Sequence, residues 1–171
     1  MGTVEHRGNV GSRPASRPYL IGLTGNIATG KSAVAVVLER LGARVIDADR
    51  VAPEVMASNA EVKQAIGELF GAGVLTPDGQ IDRRALGRIV FEDPEALRRL
   101  ERIVHPPVME TIDARILEAK ESVVVIEAIK LIETGMFRHY DALWVVTAPQ
   151  CQQLDRLIGQ RHMTEAEASV R

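Results

Sequence analysis

The chain has 171 residues, 46% of them hydrophobic, and a formal net charge of −2. That is enough apolar material for one domain with a real core and a small insertion, and the near-balance of charge argues against a general nucleic-acid binder. No apolar run reaches the length of a membrane span, so no membrane partner is expected, and the single cysteine, Cys151, excludes an intrachain disulfide and suits a reducing cytoplasm.

Residues 1–18, MGTVEHRGNVGSRPASRP, mix Gly, Pro, Arg and polar residues without an apolar block. They read as a disordered N-terminal extension rather than a secretory signal. A single domain is expected over 19–171, opening with the apolar run Tyr19–Thr24. That run, Arg44–Ala48, Ser122–Glu127 and Ala142–Thr147 each read as a strand buried on both faces, because the apolar residues are nearly continuous rather than alternating.

After the first strand comes Gly25-Asn26-Ile27-Ala28-Thr29-Gly30-Lys31-Ser32, followed by Ala33. The string satisfies G-x-x-x-x-G-K-[ST] at every fixed position. Its glycines permit positive φ and let the backbone approach an anion. Successive N–H groups, backed by the next helix N-terminus, can then cradle the phosphates of ATP. Lys31 would neutralise charge between the β- and γ-phosphates, and Ser32 would offer its hydroxyl to Mg²⁺. A helix is expected over Lys31–Leu41, with Gly42 as its stop.

The second strand ends in Asp47-Ala48-Asp49 and the third in Glu127. Ligands of open α/β sheets sit beyond the C-terminal strand ends, so these carboxylates are site candidates. If the strand persists, Asp47 and Asp49 share a face. One would then meet Mg²⁺-bound water while the other takes the acceptor hydroxyl's proton. The competing reading makes one of them the cap of a helix near Arg50–Met56. Glu127 stands where an acidic Mg²⁺-water ligand is expected.

Residues 50–120 read as a helical insertion. Pro77-Asp78-Gly79 marks a turn, Asp82 is a plausible cap for Arg83–Val90, and Asp93-Pro94 starts another helix. That helix carries Leu97, Leu100, Ile103 and Val104 on an apolar stripe, and Pro106-Pro107 should break or kink it before Val108–Glu118 resumes. The fold class is therefore α/β: a three-layer P-loop NTPase fold with a parallel sheet and a helical insertion.

These segments resemble the dephospho-CoA kinase family. The resemblance is carried by IGLTGNIATGKS at 21–32, VIDAD at 45–49, DGQIDRRALGRIVF at 78–91, LERIVHP at 100–106, WVVTAP at 144–149 and QLDRLIGQR at 153–161. It implies ATP-dependent phosphorylation of the ribose 3′-hydroxyl of dephospho-CoA, with Mg²⁺ accompanying ATP and Asp49 as the catalytic carboxylate. It also implies a CoA-side domain formed by the 78–117 helices, to which Arg83 and His105 belong, and a lid over 150–165. In that lid, Arg156 and Arg161 would meet phosphates or transition-state charge.

Beside the resemblance stand bland readings of the same residues. Arg161 shares a stripe with Leu154, Leu157 and Ile158, but an Arg there often reaches to solvent. Arg156 projects elsewhere and reads equally as surface. His105 suits packing near a helix break better than catalysis, His6, His139 and His162 look incidental, and Cys151 is expected to be inert.

Two departures qualify the match. The third strand runs into Glu127-Ala128-Ile129-Lys130-Leu131-Ile132-Glu133 rather than an Asp-x-Pro-Leu-Leu-Phe-Glu-like segment. Lys130 there has three readings: a phosphate contact, a carboxylate contact or surface. The sequence ends at Arg171, before the further helix, strand and Asn-containing turn usual in the family, so it reads as a fragment or a shortened relative. The alternatives are another P-loop small-metabolite or nucleotide kinase and a non-catalytic nucleotide binder. A GTPase switch is disfavoured by the lack of an Asn-Lys-x-Asp string.

Overall fold

The computed structural model describes residues 17–161 and Thr164. In chain order its elements are β1 (Tyr19–Gly25), α1 (Lys31–Arg40), β2 (Arg44–Asp47), α2 (Ala48–Ser58), α3 (Ala60–Phe70), α4 (Arg83–Glu92), α5 (Pro94–Glu118), β3 (Val123–Glu127), β4 (Ala142–Val146) and α6 (Gln150–Arg161). They form two compact units: residues up to Asp47 with those from Ile116 onward, and Ala48–Arg115. Among the described residues no helix is long and apolar enough to cross a membrane.

The first unit is an α/β fold on a parallel four-stranded sheet in the order β2-β3-β1-β4. β1 and β3 are central, which is why their apolar residues run on without alternation. Leu23, Val124, Val125 and Ile126 have no accessible surface. Ile21, Leu23 and Val125 form a core cluster with Ala35 of α1, flanked by Val34 and Leu38. Each fully buried aliphatic side chain of this kind contributes roughly 1.5–3 kcal/mol.

Burial on both faces does not extend to β2 and β4. Arg44 is exposed on β2, and Trp144 and Val145 are exposed on β4. Both strands lie at sheet edges, and a strand's own hydrophobicity does not say where in the sheet it will sit. α1 stops at Arg40, one residue early, in a Schellman-type cap. Gly42 takes φ 93, its N–H bonds Glu39 O, and Ala43 N–H bonds Leu38 O, satisfying carbonyls the helix leaves open.

The second unit is helical, and side-chain caps set the starts of α3, α4 and α5. Asn59 Oδ1 accepts from Val62 N at 3.1 Å to open α3. Asp82 Oδ1 accepts from Arg84 N and Ala85 N to open α4, and Asp93 Oδ1 accepts from Glu95 N at 2.8 Å to open α5. The Pro77-Asp78-Gly79 turn forms with Gly79 at φ 75, joining Leu75 and Ile81 in an antiparallel bridge.

Of the expected break or kink at Pro106-Pro107, the break is absent: α5 runs through both prolines. Each removes a helical N–H. However, Ala96, Val104, Val108 and Ile112 are buried at helical spacing along this one stretch, and packing of that stripe outweighs the missing bonds. Of the four expected stripe residues, Val104 is buried while Leu97 is 37% exposed. The buried line begins at Ala96 instead.

Candidate functional site

The phosphate-binding string lies between β1 and α1. Gly25 is required by close approach rather than by positive φ. A Cβ there would stand 2.5 Å from the backbone oxygen of Val146 on β4 and 2.9 Å from Thr29 Oγ1. Gly30 does need glycine's freedom, at φ 99. Thr29 closes the loop on itself, donating from Oγ1 to Asn26 O at 2.9 Å. Thr24, at the end of β1, donates to Ile129 O at 3.0 Å and ties the loop's base to the segment after β3.

Ala28 is held in the left-handed region at φ 57, a conformation that costs an L-residue roughly 1–2 kcal/mol. Its carbonyl accepts from Arg156 Nη1 of α6 at 2.9 Å. Arg156 therefore does not project away from the site as surface. Leu157 beside it is 2% exposed, and with Leu157 seated in the core the neighbouring side chain swings about 100° round the helix to the loop. Of the expected stripe Leu157 is buried while Ile158 is 40% exposed, and the stripe is silent on what lies beside the helix.

α1 begins without a side-chain cap, unlike α3 and α4. Gly30 O accepts from Ala33 N and Val34 N. An uncapped helix N-terminus directs partial positive charge and N–H groups toward the loop, which suits an anion.

Lys31 and Ser32 meet one carboxylate. Lys31 Nζ lies 2.9 Å from Glu127 Oε1, with the two side chains 13% and 10% exposed. Ser32 Oγ donates to the same oxygen at 3.4 Å. Glu127 ends β3 in register with Leu23 of β1 and Asp47 of β2, so Glu127 and Asp47 stand side by side on one face of the sheet. Among the described residues there is no group of three or more His, Cys, Asp or Glu side chains that could hold a metal ion.

Asp47 and Asp49 do not share a strand face. β2 ends at Asp47 and α2 starts at Ala48, placing Asp49 in the first turn of the helix, where an acidic side chain is favoured by the helix dipole. The expectation assumed that the strand continued two residues further. Asp49 belongs to the second unit, as do Arg83 and His105. Arg83 opens α4 and donates from Nη2 to Pro53 O at 3.1 Å. His105 is exposed midway along α5 rather than packed.

Lys130 is exposed in the turn after β3, with its carbonyl accepting from Thr134 N at 3.0 Å. Cys151 is exposed at the start of α6, and His139 is exposed. The Arg161 side chain, His6 and His162 lie outside the described residues. Asp141 has no motif around it in the sequence, yet its carboxylate accepts from Leu20 N at 2.8 Å and from Arg17 at 2.7 Å, pinning the start of β1. No local pattern marks an acceptor 121 residues from its donor.

Comparison with known proteins places the chain among kinases. The family model described as dephospho-CoA kinase matches residues 19–171. A dephospho-CoA kinase of Moorella thermoacetica is 46% identical over 157 residues, covering 90% of this chain and 74% of that protein. One from Geobacter metallireducens is 47% identical over 155 residues, covering 89% and 77%. Among solved structures, a Thermus thermophilus protein superposes with a TM-score of 0.78 at 33% identity, covering 91% of this chain and 78% of that one. A dephospho-CoA kinase from Campylobacter jejuni gives 0.58 at 25% identity, covering 90% and 77%.

Proposed function

The chain belongs to the dephospho-CoA kinase family, and from that premise we propose that it transfers the γ-phosphoryl group of ATP to the ribose 3′-hydroxyl of dephospho-CoA. The products are coenzyme A and ADP, completing coenzyme A synthesis. The observation that carries this reading is the family match across residues 19–171. That span contains both the phosphate loop and the 78–106 segment that distinguishes the family from other loop-bearing kinases.

The backbone of Gly25–Ser32 and Ala33 holds the ATP phosphates at the N-terminus of α1, and Lys31 neutralises their charge. Ser32, Glu127 and Asp47 suit Mg²⁺, partly through water. Hydroxyl and carboxylate oxygens are the hard donors this ion prefers, and Ser32 Oγ and Glu127 Oε1 lie 3.4 Å apart, leaving coordination places for phosphate oxygens and water. When bound, the ion offsets charge on the β- and γ-phosphates.

Asp49, within the VIDAD motif, receives the proton of the acceptor hydroxyl. Arg156 and Arg161 of α6, part of a lid over 150–165, offset charge as the phosphoryl group moves. The hydrogen bond from Arg156 to the loop carbonyl of Ala28 supports its half of that role. Residues of the 50–120 insertion, with Arg83 and His105, bind the CoA side. The reaction takes place in the cytoplasm and involves neither nucleic acid nor membrane.

The test incubates purified protein with Mg-ATP and dephospho-CoA and follows coenzyme A and ADP together. Equimolar formation of both is expected. ADP released with AMP or shikimate, but not with dephospho-CoA, would reassign the acceptor. Asp49→Asn should keep ATP affinity within about threefold while lowering kcat by about 100-fold or more. Loss of ATP binding in that variant would remove Asp49 from the acceptor side.

A further inference from the structure

The loop's cation and its hydroxyl converge on a single oxygen, Glu127 Oε1, at 2.9 Å from Lys31 Nζ and 3.4 Å from Ser32 Oγ. Glu127 is buried, and its neighbour in register is a second carboxylate, Asp47. A buried carboxylate is tolerated when its charge is balanced, and removing the balancing partner is strongly unfavourable. The positive charge of Lys31 is thus claimed by Glu127 and, when ATP binds, by its phosphates as well.

We infer that Glu127 makes phosphate binding and divalent-cation binding a single event: it retains Lys31 until a cation takes over its charge, and only then yields Lys31 to the nucleotide. The inference rests on the ATP-binding reading of the loop. If metal-free ATP drew Lys31 away, Glu127 and Asp47 would face incoming phosphates with less positive charge between them. With a divalent cation present, Glu127 exchanges one positive charge for two. Ser32 is compatible with both arrangements. Donating its proton to Glu127 leaves its oxygen lone pairs free to face the cation, so the Ser32–Glu127 contact orients the hydroxyl rather than blocking it.

A purely structural ion pair makes a different prediction. Neutralising Glu127 would then lower stability, or weaken ATP binding with and without metal alike. Under the coupling reading the two affinities move in opposite directions.

The experiment measures ATP dissociation constants of the full chain by titration calorimetry, in EDTA and in excess MgCl₂, with circular dichroism confirming the fold. Wild-type protein should bind Mg-ATP about 100-fold more tightly than metal-free ATP, the scale expected when a buried pair must be broken. Glu127→Gln should bind metal-free ATP about tenfold more tightly than wild type and Mg-ATP more weakly, compressing the metal dependence to roughly threefold or less. A wild-type ratio near one overturns the inference, whatever the variant does. So does a folded Glu127→Gln protein whose metal dependence matches wild type, or whose metal-free affinity falls. Wild-type protein that binds no Mg-ATP at all removes the ATP reading together with the inference, a result distinct from binding without metal dependence.

Discussion

Arg156 of α6 donates from Nη1 to the carbonyl oxygen of Ala28 at 2.9 Å, joining the helix after β4 to the loop after β1 across 128 residues of chain. The acceptor belongs to a residue in the left-handed region, at φ 57. Hydrogen bonds to charged groups contribute about 1.5–3 kcal/mol, comparable with the cost of that conformation. The arginine offsets the strain its partner carries, and in doing so fixes the direction of the loop's backbone.

Arg156→Ala is therefore expected to lower kcat/KM for ATP by about 10–100-fold. Arg156→Lys should recover part of the loss, since an ammonium can still donate but lacks the planar fork. Adding Ala28→Gly to Arg156→Ala should restore thermal stability by removing the strain, without restoring the rate. Steady-state kinetics and melting curves on the four proteins separate these effects. Unchanged kinetics in Arg156→Ala would reduce the contact to packing.

The two loop glycines should fail for different reasons. Gly25→Ala drives a Cβ to 2.5 Å from the Val146 carbonyl oxygen, a backbone atom that cannot rotate away, so destabilisation of about 2–3 kcal/mol is expected. Gly30→Ala meets nothing closer than Arg156 Nη1 at 3.5 Å and incurs the positive-φ strain, about 1 kcal/mol. Urea unfolding should rank wild type above Gly30→Ala and Gly30→Ala above Gly25→Ala. The reverse order for the two variants would contradict the packing argument.

Acid should erode the start of α4. Hydrogen bonds from the backbone N–H groups of Ala85 and then Arg84 hold the Asp82 carboxyl below its ordinary value of 3.8. A carboxylate lowered on folding stabilises the folded state fully above its unfolded value, and that contribution is lost as pH falls through the folded one. Asp82→Asn keeps an acceptor but does not titrate. The melting temperature of wild type relative to Asp82→Asn should therefore be constant near neutrality and decline from about pH 4 downward. A difference independent of pH over that range would count against the cap.

Prolines within α5 should be replaceable at a gain. Pro106 and Pro107 lie inside a continuous helix, where proline costs about 3 kcal/mol against alanine. Some of that is returned by proline's stiffening of the unfolded chain. Pro106→Ala and Pro107→Ala are each expected to raise unfolding stability by about 1–2 kcal/mol. Chemical denaturation decides this, and a loss of stability in both would mean that the backbone departs from helical geometry at that point.

Much of the fold is written locally. The strand runs, the G-x-x-x-x-G-K-S string, the Asp82 and Asp93 caps and the Pro77-Asp78-Gly79 turn each lie within a few residues of chain. The caps and the turn make their backbone hydrogen bonds within a few residues. The strand runs are legible from their continuous apolar composition although their ladders need distant partners, so the sequence by itself determined the parallel α/β framework and the position of the phosphate loop. It also carried the family resemblance, because that depends on the same short strings.

Tertiary structure decided which side chains meet. Lys31 reaches Glu127, Arg156 reaches Ala28, and Gly25 must be small because β4 passes beside it. It also decided which strands lie at the edges and that α5 passes through two prolines. Such outcomes depend on contacts between segments distant in the chain, and on packing energies that override local propensity. A helical or strand period can say which way a side chain points from its own element, but what stands there is set by the rest of the fold.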